Sequence, residues 1–480
     1  MKKLLISLLS LFSLAVNAAD FIVNGIAYNA ISLADLTCEV TSNSTPYSGN
    51  IEIPETVSYQ NRTFTVIGID DECFSGCTGL VSLVLPNTLT YIGDKAFYKC
   101  ISINKLSIPG SVKSIGKCAM SYSGIKNLRF EDGYSTLKIE SYYDGHSYSS
   151  FVYNRIDTLY LGRNLTGGDT KKGFFETGTY SSYKNTLSEI TIGHCVTYIP
   201  SHVFWHSEAK KIVIPSSVTK IYNDAFERCN YEELIFEDGD TPINLGIHTY
   251  SSWDYQKLEY CVMHNYGLKN LYIGRNIELA QKGSLGSTGY QSVHGFYNIS
   301  NLKNVIIGEK VTELPDHLLR DCNGIEKIVL PQKLSNLNTA LVGCTGIMDI
   351  TCQSSVPPSV TSSSFTNNQY LNATVKVAED AYDTYKADEV WGQFWGLTKE
   401  SPTKIDNKQF ANPVLIHSND GVLNISGIDD GTDVVVYSVS GHMVGASKAK
   451  ANQASVFTNI QKGEIAIVKI GDKSVKVVMQ

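Results

Sequence analysis

The chain carries none of the short signatures in which a familiar chemistry is written. Its 480 residues hold no H-E-x-x-H, no G-x-S-x-G and no G-x-x-x-x-G-K-[ST]. The histidines meet at ligand spacing only in "HVFWH", His202 and His206, which a repeat pattern described below assigns to a turn. Positive charge is in short supply: 40 Lys and Arg against 47 Asp and Glu give a formal charge of −7. A mildly acidic surface does not gather phosphates, so nucleic acid and anionic membranes are excluded as expected partners. Beyond the first residues, no apolar run approaches the roughly 18 residues that a spanning helix requires, so no transmembrane segment is expected. "CFSGC", with Cys73 and Cys77, reads as core packing rather than a zinc site. The acidic stretches 237–240 and 429–433 lack the spacing of a calcium loop and read as ordinary Asp-Gly turns. No catalytic residue, cofactor or metal is expected.

What is present begins with "MKKLLISLLSLFSLAVNAAD". Two lysines, an apolar run over 4–16 and the small residues Ala18 and Ala19 spell a secretory signal peptide, 1–19. No cysteine stands at a lipoprotein-type cleavage position. Export to the extracellular space or cell surface is expected, with the periplasm as the alternative. Removing Lys2 and Lys3 takes the charge from −7 to −9. The cysteine count, 11, is odd for an oxidising compartment. Five of them (Cys77, Cys100, Cys229, Cys322 and Cys344) each lie three residues after a Phe or Leu, as in "FYKC". A recurrent place of this kind suggests a small buried apolar residue; disulfides between repeats are the alternative.

One pattern runs through the middle: apolar, two variable, apolar, one variable, apolar. It reads "LVSLVLP" from Leu80, "INKLSIP" from Ile103, "IKNLRFEDG" from Ile125, "IDTLYLGRN" from Ile156 and "LSEITIG" from Leu187. It continues as "AKKIVIP" from Ala209, "YEELIFEDG" from Tyr231, "LKNLYIGRN" from Leu268, "LKNVIIG" from Leu302, "IEKIVLP" from Ile325 and "IMDITCQ" from Ile347. The intervals run from 22 to 37 residues. L-x-x-L-x-L is the strand signature of a leucine-rich repeat. Its last two apolar residues alternate with a variable one and so share one face of a short strand. A single unit cannot bury that face, but stacked neighbours can, and the result is a solenoid. A longer period overlies the short one: "FEDG" at Phe130 recurs at Phe236, and "GRN" at Gly162 recurs at Gly274. A block of short and long units was therefore duplicated.

"LPNTLTYIGDKAFYKC", "IPGSVKSIGKCAM" and "IPSSVTKIYNDAFERC" resemble the repeat unit of BspA-like leucine-rich-repeat proteins. The segment 375–400 is similar to the one that closes such arrays, and "DFIVNGIAYNAIS" with "YSGNIEIPETV" to their opening. The resemblance implies a bacterial secreted or surface protein associated with adhesion, and it supplies no catalytic residues. From 402 onward, short alternating runs broken by Gly, Asp and Asn argue a small β-sandwich. That end also resembles a type IX secretion sorting domain, at Asn412-Pro413, Val436-Tyr437 with Gly441, and 475–478. It departs from that pattern in ending Met479-Gln480 and in carrying "KGEIAIV" where a glycine-tyrosine turn is usual.

The expected fold is a leucine-rich-repeat solenoid, with a parallel β-sheet on the concave side and irregular or short helical return segments, followed by a small all-β sandwich. Its parts are a signal peptide (1–19), an N-terminal β-rich cap with the first repeat (20–79), the solenoid (80–353), its C-terminal cap (354–401) and the sandwich (402–480). The concave column between the inner apolar residues reads Val84, Ser107, Arg129, Tyr160, Thr191, Val213, Ile235, Tyr272, Ile306, Val329 and Thr351. Beside it stand polar pairs such as Lys210-Lys211 and Glu232-Glu233, so an apolar stripe edged by charge is expected. Tyr160, Tyr272 and Arg129 are the candidate contacts there. A second candidate surface is the over-long units, which carry "YSSF", "YSSY" and "YSSW". Phe151 fits a core position, which leaves Tyr180, Tyr183, Tyr250 and Trp253 as candidates for contact. The expected function is non-enzymatic recognition of a protein or polysaccharide ligand, a host-derived one included; the alternative is glycan capture by the Tyr-rich loops. The oligomeric state is not fixed by the sequence.

Overall fold

The computed structural model describes residues 19–143, 147–148, 150–151, 154–167, 174–175, 187–222, 225–226, 229–247, 260–261, 263, 265, 267–279, 293–399, 415–419, 421–428, 430–450, 453–461, 463–471 and 473–479. Residues 1–18 of the expected signal peptide (1–19) and Asn412-Pro413 lie outside them. The chain divides into two compact units, Met1–Ser401 and Pro402–Gln480.

In the first unit each L-x-x-L-x-L segment forms a strand, and the strands pair in parallel and in register. Lys105–Ile108, Asn127–Phe130, Thr158–Leu161 and Glu189–Ile192 form one sheet. A second begins at Lys211–Ile214 and runs through Glu233–Phe236, Asn270–Ile273, Asn304–Ile307, Lys327–Leu330 and Asp349–Cys352. The segment expected to cap the solenoid adds two further strands to it, Thr374–Val377 and Gly396–Lys399. Register is fixed by burial, because a slip of one residue would turn every inner side chain outward. Leu106, Ile108, Leu128, Phe130, Leu159 and Leu161 are all at most 2% exposed.

The return path carries a second line of strands, too short to show as a periodicity in the sequence. Ser114–Ile115 pairs in parallel with Tyr91–Ile92 on one side and Leu137–Ile139 on the other. The glycine after such a strand is required by close approach: a Cβ on Gly116 would lie 2.5 Å from the backbone nitrogen of Asp94. A third line runs through the turns. The N–H groups of Glu72, Phe74 and Gly76 donate to the carbonyls of Asp94, Ala96 and Tyr98, and those of Lys95, Phe97 and Lys99 to Lys117, Ala119 and Ser121. Left-handed residues at Lys95 (φ 51°) and Lys99 (φ 58°) help aim these amides along the solenoid axis. His202 (φ 59°) and His206 (φ 58°) occupy the equivalent places. Among the described residues, α-helix occurs only in the cap, at Asn367–Asn372 and Tyr382–Ala387, and no helix is long and apolar enough to cross a membrane.

The recurrent cysteines have a polar task as well as an apolar one. The thiol of Cys100 donates to the carbonyl of Phe74 at 2.9 Å, that of Cys229 to Phe204 at 2.9 Å, and that of Cys344 to Leu319 at 2.9 Å. Each closes a carbonyl of the preceding repeat's turn, which a valine or alanine could not do. The ten cysteines other than Cys261 form no disulfide. Burial pushes Cys100 and Cys352 each up to about 12. Since the thiolate is the reactive species, Cys38, Cys73, Cys77, Cys100, Cys229, Cys322, Cys344 and Cys352 are expected to resist an aromatic disulfide reagent at pH 8 until the chain unfolds, whereas the part-exposed Cys118 and Cys195 react in the folded protein. Site-resolved mass spectrometry would read this, and labelling of the buried set at the rate of the exposed pair would contradict it.

The second unit packs two antiparallel sheets on one core. Leu415–Asn419, Val422–Ser426 and Gln453–Phe457 make one; Met443–Lys448, Asp433–Ser438, Ile465–Ile470 and Lys473–Val478 make the other. Leu423 and Ile425 from the first meet Val434, Val436, Ala466 and Val468 from the second in a single buried cluster. This is the small sandwich expected from the alternating runs.

Candidate functional site

The concave column is a real line of side chains. Ser107, Arg129, Tyr160 and Thr191 are register partners in the first sheet. Val213, Ile235, Tyr272, Ile306, Val329 and Thr351 follow in the second, which the cap extends by Lys376 and Thr398. The same face carries polar cross-strand pairs: Asn304 with Asn270 at 2.7 Å, Lys211 with Glu233, and Asp349 between Lys327 and Lys376, both at 3.6 Å. Glu232 stands between Lys210 at 3.4 Å and Lys269 at 2.7 Å, and these lysines draw its carboxyl below the usual range. Opposite charges alternate from strand to strand, so the face is polar without a net field of one sign.

The two tyrosines of the duplicated blocks differ in exposure. Tyr160 is half-buried, and the guanidinium of Arg129 lies over its ring, 3.7 Å from the centroid. Its hydroxyl donates to Asp132 Oδ1 at 2.7 Å. Tyr272 makes the matching bond to Asp238 Oδ1 at 2.8 Å but is only 4% exposed, and its neighbour Ile235 is 0% exposed. The apolar stripe is therefore covered at its centre, and Tyr272 offers almost no surface to a ligand. Its observed partner is Asp238, and burial raises the pKa of both groups. Burial, with Asp132 next, raises Tyr160 in the same way. Phe151 is buried, 5.2 Å from the ring of Phe175, as its core position requires. Tyr180, Tyr183, Tyr250 and Trp253 lie outside the described residues. Of the long unit holding Tyr148, the backbone forms a two-stranded antiparallel pair, Tyr142–Tyr143 with Ser147–Tyr148.

Sequence reasoning passed over the groups that hold these tyrosines, although "FEDG" and "GRN" recurred in plain view. In "GRN" the arginine is buried. Arg163 donates to the carbonyls of Gly110 at 2.8 Å, Val112 at 2.6 Å and Pro109 at 2.8 Å. Arg275 does the same for Ser216 and Pro215, both at 2.7 Å. Burial lowers both guanidiniums to about 10, so they remain charged at neutral pH. The asparagine stands in for a ladder: Asn164 accepts the Thr197 N–H, and Asn276 the Thr312 N–H, each at 2.8 Å. Reading the motif as a mark of duplication alone missed that its residues are structural anchors.

Beside Tyr160 the surface holds Tyr134, which is 94% exposed, and the half-buried His194 and Cys195. Burial, the largest cause, raises the Cys195 thiol, so its partial exposure and not an activated thiolate is what leaves it open to a reagent. Among the described residues, no group of three or more His, Cys, Asp or Glu side chains could hold a metal ion. The groups the face presents are a stacked cation, an exposed aromatic ring and alternating charge on a parallel sheet.

A family model described as "BspA type Leucine rich repeat region" matches in six copies, over residues 67–161, 175–260 and 287–380. Comparison with curated proteins finds no match. Similar solved structures include a leucine-rich repeat protein from Bacteroides ovatus, at 17% identity and a TM-score of 0.30 over 80% of this chain and 100% of that one. A leucine rich cell surface protein from Faecalibacterium prausnitzii is 18% identical with a TM-score of 0.31, over 80% of this chain and 95% of that one. The pneumococcal vaccine antigen PcpA is 13% identical with a TM-score of 0.29, over 80% of this chain and 100% of that one.

Proposed function

The chain belongs to the BspA-type leucine-rich-repeat family, and we propose that it is an exported, non-enzymatic recognition protein that binds a protein ligand on the concave face of its first block. In this reading residues 1–19 direct export and the C-terminal unit acts as a sorting domain. The observation that carries the proposal is the Arg129–Tyr160 pair. A guanidinium stacked 3.7 Å above a half-buried ring is held in place before a ligand arrives. Its planar fork suits the carboxylates and carbonyls of a protein surface. Ser107 and Thr191 flank it in register with small hydroxyl side chains, so a partner can approach closely.

Glycan capture is the second reading. Tyr134, 94% exposed and close to Cys195, favours it, since an exposed ring can stack on a sugar. One experiment separates the two. The mature chain, residues 20–480, is tested against panels of extracellular-matrix proteins and of polysaccharides. Arg129→Ala is expected to weaken protein binding about tenfold, the order of 1.4 kcal/mol that a partly desolvated cation–aromatic contact and its hydrogen bonds supply. Glycan binding lost on Tyr134→Ala but kept by Arg129→Ala would favour the second reading. Protein binding that is indifferent to Arg129→Ala would remove the first.

A further inference from the structure

The two duplicated blocks meet without a continuous strand ladder. Glu189–Ile192 ends one parallel sheet and Lys211–Ile214 begins the next. The short strands Leu165–Gly167 and Tyr198–Ile199 likewise belong to different sheets. Side chains help to span the gap. On the short-strand side, Asn164 accepts the Thr197 N–H and donates to its hydroxyl, both at 2.8 Å. On the long-strand side the bridge is Glu237, the residue that follows the strand Glu233–Phe236 of the second sheet. One of its oxygens accepts the Ser216 N–H at 3.0 Å and faces Nδ1 of His194 at 3.9 Å. His194 stands two residues beyond the last strand of the first sheet, so this contact crosses two turns. Glu131, the equivalent residue of the first block, instead accepts the hydroxyl of Ser107 at 2.7 Å.

The carboxyl of Glu237 is buried and His194 is partly so, with Nε2 buried and without a partner among the described residues. In such surroundings the attraction between imidazolium and carboxylate is much stronger than in water. Histidine is the side chain whose charge changes between about pH 5 and 8. We infer that the block junction is a pH-sensitive joint: protonation of His194 draws the end of the first sheet onto Glu237 of the second, stiffening the solenoid in mild acid and loosening it in mild alkali. The other charged groups facing the pair are Arg275, which lies on the Pro215 and Ser216 carbonyls, and Asp238; Asp132 faces the adjacent Cys195. Arg275 keeps its charge throughout this range, since burial lowers it only to about 10. The sign follows from which partner must be charged. The pair needs an imidazolium facing a carboxylate, so it is present in mild acid and absent in mild alkali, where an imidazole is neutral. Burial pushes Glu237 up, so at lower pH the carboxyl takes its own proton and the attraction fades again.

Hydrogen exchange of the mature chain, corrected for intrinsic rate, tests the joint. Going from pH 8.0 to 6.5, protection at 189–192 and 211–214 is expected to rise at least threefold in the wild type. His194→Gln and Glu237→Gln should each abolish that rise, while 327–330 and 349–352 exchange as in the wild type and report an intact second block. A pH response that survives His194→Gln overturns the inference. So does a wild type whose junction is equally protected at both pH values, a result that needs no variant to fold.

Discussion

Arg163→Met is expected to lower the unfolding free energy by about 3–5 kcal/mol, read from urea denaturation. The opposing terms decide the size. Methionine removes a buried charge, which by itself is favourable, and fills a similar volume. Against that, the carbonyls of Gly110 and Val112 lose the guanidinium as donor, and that of Pro109 keeps only the Val112 N–H at 3.1 Å. They cannot turn to water, because the residue that covers them is 0% exposed. Each unpaired acceptor costs about 1–3 kcal/mol, so two of them, with the third weakened, outweigh the relief of the charge. Replacing a buried ion pair by apolar groups can be neutral because both partners go; here the acceptors are backbone and stay. Arg275→Met unpairs only the Ser216 carbonyl, since that of Pro215 keeps the Val218 N–H at 3.0 Å, and is expected to cost less, about 1–3 kcal/mol. Arg163→Lys should recover little, since a compact ammonium cannot reproduce the fork that meets three carbonyls. A loss below about 1 kcal/mol for Arg163→Met would mean that the turn finds other donors, and the anchoring role would fall.

Strand register was legible in the sequence because the two inner apolar residues repeat in every unit. The column from Arg129 to Tyr160 and from Val213 to Thr351 could be written down residue by residue on that ground alone. Exposure along the column was not legible. Tyr160 and Tyr272 hold equivalent places and bind equivalent aspartates, yet one is half-buried and the other nearly covered. Covering depends on neighbours distant in the chain, which a local pattern does not encode. The second strand line escaped for a different reason: Tyr91–Ile92 and Ser114–Ile115 are two residues each, too short for an alternation of period 2 to appear. Lys95 and Lys99 gave no hint of a left-handed backbone, because lysine usually avoids it. Their conformation follows from the N–H bonds they make to the next repeat rather than from their own propensity. Arg163 shows the opposite bias. Arginine is so rarely buried that its recurrence in "GRN" read only as a mark of duplication, whereas its reach across 53 residues to Gly110 is what holds three carbonyls of one turn.

Phe97→Ala is expected to cost about 3–5 kcal/mol, and to cost it locally. The ring is 0% exposed and stacks on Phe74 at a centroid distance of 5.4 Å. Its backbone N–H meets Ala119 at 2.6 Å, and its carbonyl takes the N–H of Cys100 at 3.2 Å. The cavity left behind cannot close easily, because the turns on either side are fixed by bonds to their neighbours rather than by Phe97 itself. In a solenoid each unit touches only the units next to it, so stability is a sum of near-neighbour terms. Removing one ring therefore weakens the coupling of the N-terminal repeats to the remainder, and leaves the distant interfaces as they were. Hydrogen exchange should show faster opening of the strands Arg62–Ile69, Leu80–Val84 and Lys105–Ile108, with Lys327–Leu330 and Asp349–Cys352 unchanged. The matching change in the second block, Phe226→Ala, removes a ring 5.2 Å from Phe204 and should move the weakened region with it. A uniform loss of protection across both blocks in either variant would contradict nearest-neighbour stability, and with it the independence of the two blocks on which a joint at their junction depends.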